Sequence, residues 1–268
     1  MGALTGVRAL VTGATSGLGA AMADALLASG ATVAIASRPG DRLATAVKQH
    51  HARGLDAVPL PVDVREPASV AEAADRAFET LGGIDLLVNN AGIGMRTVNP
   101  RFLDAPMPFF EVSPEGFADL ISTNLTGYFL MAREFAPKMI DQGFGRIVNV
   151  SMNYATMRRR GFVPYGPSRA ATESLSLIMA EDLHSYGIAV NQLLPGGATD
   201  TGMIPEETPS KVKRQLLPAR IMGPPIVFLA SEEATGLTGE RLIAKDFDSW
   251  LAAYRSGGAF GSTASRKG

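Results

Sequence analysis

The chain has 268 residues and a formal charge of −1, long enough for a sizeable α/β core and too balanced in charge to seek nucleic acid or an anionic membrane. Hydrophobic residues make up 46% and charged residues 19%, which excludes a disordered chain. There is no cysteine, so disulfides, thiolate metal sites and cysteine nucleophiles are excluded too. The stretch Met1–Gly6 lacks the basic segment of a secretory signal, and no apolar run approaches the roughly 18–20 residues that span a bilayer. A cytoplasmic location is expected.

Strand-like and helix-like segments alternate along the chain. Val7–Thr12 reads as a buried strand and Leu18–Ser29 as an Ala-rich helix closed by Gly30. Strand Thr32–Ser37, helix Arg42–Arg53, strand Ala57–Val62, helix Ala68–Leu81 and strand Ile84–Asn89 follow. The second half continues with helix Asn124–Asp141, strand Arg146–Val150, helix Tyr165–Ser185 and strand Ala189–Leu194. A helix near Pro225–Ser231 and a strand near Arg241–Ala244 close the series. Apolar strands separated by amphipathic helices predict an α/β fold, a doubly wound parallel sheet of about seven strands with helices on both faces. No linker divides the chain, so 1–256 is expected to form a single domain and 257–268 a flexible tail. Two long loops, Gly94–Gly116 and Thr199–Leu217, are candidates for function.

The first strand runs into Thr12-Gly13-Ala14-Thr15-Ser16-Gly17-Leu18-Gly19. Glycines at such a turn let the backbone approach a pyrophosphate and aim N–H groups from the helix start, as in a Rossmann fold. A tight turn with no ligand is the plain alternative. At the end of the second strand, where an acidic residue would read the 2′-hydroxyl of NAD, the chain has Ser37-Arg38. A guanidinium beside a hydroxyl suits a 2′-phosphate and favours NADP(H).

Together these motifs resemble the short-chain dehydrogenase/reductase family over roughly Gly6 to Ala244. Asp63-Val64 is similar to the family's adenine-contacting pair, and Asn89-Asn90-Ala91-Gly92 to the sequence that ends its fourth strand. Asn124 falls in its helix motif, Ser151 follows the fifth strand, and Tyr165 opens the next helix. Pro195-Gly196, with Thr199 and Thr201, resembles the segment on the nicotinamide side. The resemblance implies hydride transfer between NADP(H) and a small carbonyl or alcohol substrate. Tyr165 would be the general acid in reduction, Ser151 would hydrogen-bond the same oxygen, and Asn124 would hold the helix geometry and a relay water. A homodimer or homotetramer is implied as well. Tyr128, Met131, Phe135, Leu175, Ile178 and Met179 are its expected apolar surface.

The family's Tyr-x-x-x-Lys is here Tyr165-Gly166-Pro167-Ser168-Arg169. Positions i and i+4 share a helix face, so Arg169 can stand beside the phenol or the ribose. A cation about 4 Å from a charge contributes roughly 4 kcal/mol at an effective dielectric near 20, which supplies lysine's electrostatic role. Arginine cannot readily release a proton, and Arg169→Lys is expected from sequence to raise turnover roughly tenfold. Two other readings stay open: an NADP(H)-binding protein of low activity, and an enzyme like the halohydrin dehalogenases, which use Ser-Tyr-Arg without nicotinamide. The latter carry an aromatic residue where this chain has Gly17.

The last strand leads into Ala244-Lys245-Asp246-Phe247 rather than the family's Val-Asp-Gly-Gly-like turn. The substrate loops carry Met95, Arg96, Phe102, Phe109, Phe110, Met152, Asn153, Tyr154, Met157 and Arg158-Arg159-Arg160. They suit a largely apolar ligand able to carry an anionic group, with a solvated arginine turn as the equal alternative. His50-His51 and His184 are expected at the ends of surface helices, and no metal is expected.

Overall fold

Seven apolar runs pair side by side in the computed structural model, which describes residues 2–205, 208 and 210–258. The strands are β1 (Arg8–Thr12), β2 (Thr32–Ser37), β3 (Ala57–Pro61), β4 (Leu86–Asn89), β5 (Gly145–Val150) and β6 (Ile188–Leu194). A short pair, β7 (Thr199–Asp200) and β8 (Leu217–Pro218), precedes β9 (Arg241–Ile243). The main sheet has the order β3-β2-β1-β4-β5-β6-β9, and every pairing in it is parallel. β4, β5 and β6 are buried at every position, because helices cover both faces; that is why their sequences do not alternate.

The helices are α1 (Gly17–Ala28), α2 (Asp41–His51), α3 (Pro67–Leu81), α4 (Pro114–Ile121) and α5 (Gly127–Gln142). They continue as α6 (Tyr154–Met157), α7 (Tyr165–His184), α8 (Ser210–Lys213), α9 (Gly223–Ala230) and α10 (Phe247–Arg255). Successive strand residues point to opposite faces. Val11, Val88 and Val148 therefore pack with Met22, Leu26 and Ile226 of α1 and α9. Their neighbours Leu10, Leu87 and Ile147 pack with Val70, Phe135 and Met179 of α3, α5 and α7. Phe135 is fully buried, its ring centroid 6.1 Å from that of Phe78. Phe135→Ala is expected to cost about 3–5 kcal/mol in urea unfolding; a loss under about 1 kcal/mol would mean that this layer packs loosely.

Several details depart from the sequence expectation. The helix expected over Asn124–Asp141 begins as a π-helical turn, Ser122–Thr126, before α5. α4 starts at Pro114, inside the expected loop, with Ser113 capping the N–H of Gly116. α10 follows the last strand where no helix was expected; Trp250 and Tyr254 set it on Phe228, with ring centroids 5.5 and 5.4 Å apart. His50 is buried, and His51 bonds to the Ala57 carbonyl at 2.6 Å. Of the residues expected to form the apolar surface, Tyr128, Met131 and Phe135 of α5 and Met179 of α7 are core, because the faces that carry them lie on the sheet. Ile178 is exposed, together with Phe129 and Leu177. Of the expected tail, residues 259–268 lie outside the described residues. Among the described residues no helix is long and apolar enough to cross a membrane.

Candidate active site

β1 pairs with β2 on one side and β4 on the other. The connections leaving their carboxyl ends diverge and open a crevice. A cleft of about 420 Å³ lies there. Gly13, Thr15, Ser16, Gly17 and Leu18 form one end, facing Asn90, Ala91 and Gly92 after β4. Gly13 and Gly17 hold left-handed backbone, with φ of +65° and +57°, which glycine adopts without steric cost. Gly19 packs rather than lines: a Cβ there would stand 2.4 Å from Asn90 Nδ2 and from the Gly13 carbonyl. Thr12 ties the two edges together. Its Oγ1 accepts from the N–H groups of Asn90 and Ala91 at 2.9 and 3.0 Å, and Asn90 Nδ2 donates to its carbonyl at 2.8 Å.

The segment after β6 arches over this turn. Pro195, Gly196, Thr199 and Thr201 line the cleft, and a Cβ on Gly17 would meet Thr201 at 3.4 Å. A bare glycine turn, a helix start whose Ser16 cap makes no side-chain bond and an overlying loop fit a dinucleotide. At the far end, Ser37 ends β2 and Arg38 is exposed outside the cleft wall. Asp63 is clamped by Arg65, whose Nε and Nη2 donate to its carboxylate at 3.0 and 2.7 Å. That clamp holds the Asp63 carboxyl below the usual carboxylate range against the opposing pull of desolvation, and Arg38 adds to it. Val64 packs against Gly127, where a Cβ would meet its methyl at 2.8 Å.

Ser151, Tyr165 and Arg169 share the middle of the cleft. Arg169 is buried, and its Nη1 donates to Tyr128 Oη at 2.7 Å and to the Val150 carbonyl at 3.0 Å. Its guanidinium lies 5.2 Å from the Tyr128 ring centroid and 5.5 Å from that of Tyr165, within cation–π range. Gly92 permits this approach, since a Cβ there would stand 2.7 Å from Nη2. Arg169 Nε is buried without a partner. Burial works against the charge, but the Tyr128 and Tyr165 phenols outweigh it and leave the guanidinium pKa raised. Burial pushes the Tyr128 phenol up, with Arg169 pulling the other way. Asn124 sits outside the cleft wall. Its side chain accepts from the Ile93 N–H at 2.8 Å and donates to the Ile93 carbonyl at 2.9 Å, and its own carbonyl accepts from Thr172 Oγ1 at 3.2 Å.

Two partners of this centre were not read from the sequence. Ser151 Oγ donates to Glu173 Oε1 at 2.5 Å, and Arg241 Nε donates to the same oxygen at 2.8 Å. Glu173 stands about two turns beyond Tyr165 on α7, and an acid on an otherwise inward-facing stripe was the available signal. Of the expected substrate loops, Met95, Phe102, Met152, Asn153 and Arg159 line the cleft, joined by Leu103, Phe162, Met203 and Ile204. Phe109 and Phe110 are exposed instead, and Tyr154 lies on Arg241. Among the described residues, Arg159 and Arg169 are the only charged ones in the wall. Among the described residues no group of three or more His, Cys, Asp or Glu is placed to hold a metal.

The family model described as short chain dehydrogenase matches residues 8–211. The chain belongs to that family. Among other short-chain dehydrogenases, it is 33% identical over 246 residues to a 3-oxoacyl-[acyl-carrier-protein] reductase of Aquifex aeolicus, covering 88% of this chain and 95% of the relative. It is 35% identical over 193 residues to a gluconate 5-dehydrogenase of Gluconobacter oxydans, 72% of each chain. The crystal structure of a gluconate 5-dehydrogenase from Burkholderia cenocepacia, in complex with NADP and tartrate, superposes with a TM-score of 0.80 at 29% identity. That match covers 90% of this chain and 94% of the other. Like these short-chain dehydrogenases, the chain is an oxidoreductase with a Rossmann fold.

Proposed function

We propose that this short-chain dehydrogenase interconverts a carbonyl and a secondary alcohol with NADP(H), on a small, largely apolar substrate able to carry an anionic group. The observation that carries this is the single cleft in which the glycine turn, Ser151, Tyr165 and a buried cation meet. When bound, the nicotinamide supplies or accepts the hydride. Tyr165 donates its phenolic proton to the substrate oxygen in reduction and takes it back in oxidation. Arg169 stabilises negative charge that develops on that oxygen. Asn124 holds the loop after β4 against the π-turn, and Ser151 hydrogen-bonds the substrate oxygen in its alcohol form. Gly13, Thr15, Ser16, Gly17 and Leu18 would cradle the pyrophosphate, with Gly19 setting their approach. Asn90, Ala91, Gly92, Pro195, Gly196, Thr199 and Thr201 would hold the nicotinamide half, and Asp63 and Val64 the adenine. An apolar wall with Arg159 as its exposed charge supports the substrate class. The test is NADPH titration followed by turnover on a carbonyl panel; a folded protein that binds no NADPH would refute it.

Arg38 would pair with the 2′-phosphate. Arg38→Ala is expected to cut the preference for NADP(H) over NAD(H) by at least about tenfold, and an unchanged ratio of affinities would reassign that role. The left-handed Gly17, open toward the cleft, supports a phosphate cradle over a halide site. A second reading, NADP(H) binding with little turnover, draws on Arg169 being held by Tyr128 and on the Asn124 carbonyl already accepting from Thr172. NADPH binding with no turnover across the panel would select it.

The chain would also self-associate through α5 and α7, where Phe129, Leu177 and Ile178 are exposed. Light scattering should give a multiple of 28.1 kDa; a constant monomer mass across concentrations would exclude a dimer or tetramer.

A further inference from the structure

A serine hydroxyl carries one proton and two lone pairs, and the proton of Ser151 is already committed. It points at Glu173 Oε1, 2.5 Å away, and that oxygen also accepts from Arg241 Nε at 2.8 Å. The Tyr154 phenol is held above the ordinary phenol range first by desolvation and then by the nearby Glu173 carboxylate. Two donors therefore converge on one oxygen of a carboxylate whose side chain is 8% exposed. A carboxylate paired with a guanidinium only accepts, so Ser151 is the donor in their bond. Arg241 is braced in turn: Nη2 donates to the Met152 carbonyl at 2.8 Å, and the guanidinium lies 3.9 Å from the Tyr154 ring centroid. Ser151 lines the cleft and faces it with lone pairs alone.

We infer that Glu173 is a positioning residue that fixes Ser151 as a hydrogen-bond acceptor, so that the cleft selects a ligand that donates there, the alcohol form of the substrate over the carbonyl form. The inference rests on the oxidoreductase reading above. An alcohol donates to Ser151 and accepts from Tyr165, whereas a carbonyl oxygen accepts from Tyr165 and leaves Ser151 unpaired. An unmet polar group in a cleft of this kind disfavours the ligand that causes it.

Two inert probes test this on one complex. With NADP⁺ bound, cyclohexanone has no hydride to receive and the tertiary alcohol 1-methylcyclohexanol has none to give, so both report binding alone. NADP⁺ is titrated first by itself; its failure to bind would sink the cofactor reading, and the probes are then compared on the cofactor-free protein. Glu173→Leu releases the Ser151 proton toward the cleft, and the alcohol-to-ketone affinity ratio is expected to fall about tenfold. Glu173→Gln keeps an accepting oxygen beside Ser151 and should stay within about twofold of the wild-type ratio, even where its stability drops. Ser151→Ala removes the acceptor, leaves Glu173 paired with Arg241, and should lower the ratio like Glu173→Leu. A merely structural Glu173 would weaken both probes alike. A wild-type ratio in Glu173→Leu or in Ser151→Ala, or an equal fall in Glu173→Gln, overturns the inference.

Discussion

Tyr165→Phe lowers turnover on any carbonyl substrate found by screening by on the order of 10³-fold, within the span of general acid catalysis. The phenol stands at the first position of α7, lines the cleft, and shares the Arg169 guanidinium with Tyr128. The second phenol cannot replace it. Tyr128 is buried on α5 and its hydroxyl bonds to Arg169 and, at 3.4 Å, to the Val150 carbonyl. The Ser151 hydroxyl already donates its hydrogen bond to Glu173. Loss of the Tyr165 hydroxyl therefore leaves the substrate oxygen without a proton source, while NADPH affinity should fall by no more than about fivefold. Steady-state kinetics beside an NADPH titration separates the two effects. Undiminished turnover in Tyr165→Phe would overturn the catalytic assignment.

The second large effect is at Arg169, where packing reverses the sign that sequence suggests. Lysine would present one ammonium where a planar fork now reaches Tyr128, Val150 and the face of Tyr165. Arg169→Lys should leave at least one of those acceptors unmet in the core, at a cost of about 1–3 kcal/mol in urea unfolding. Turnover should drop at least about tenfold, equivalent to about 1.4 kcal/mol in the barrier. Removing the phenol together with the guanidinium, in Tyr128→Phe/Arg169→Lys, should destabilise less than the two single costs combined, because the residues touch. An Arg169→Lys enzyme faster than wild type and equally stable would restore the expectation of a lysine-like relay.

Sequence by itself determined the features that depend on local chemistry. The β1–α1 turn needs glycine at Gly13 and Gly17 whatever surrounds it, because left-handed backbone there excludes most side chains. The apolar runs of β4, β5 and β6 declare strands covered on both faces. The order of motifs along the chain placed Ser151, Tyr165 and Arg169 in one cleft. Only the tertiary structure decided what those side chains bond to. Arg169 meets Tyr128 from a helix 41 positions earlier, and Ser151 meets Glu173 from a helix 22 positions later, in turn held by Arg241 a further 68 along. Such pairings follow from how α5, α7 and β9 stack against the end of β5. Hydrogen bonds act over about 3 Å, so their partners are set by that stacking, and no periodicity or spacing within one segment encodes it.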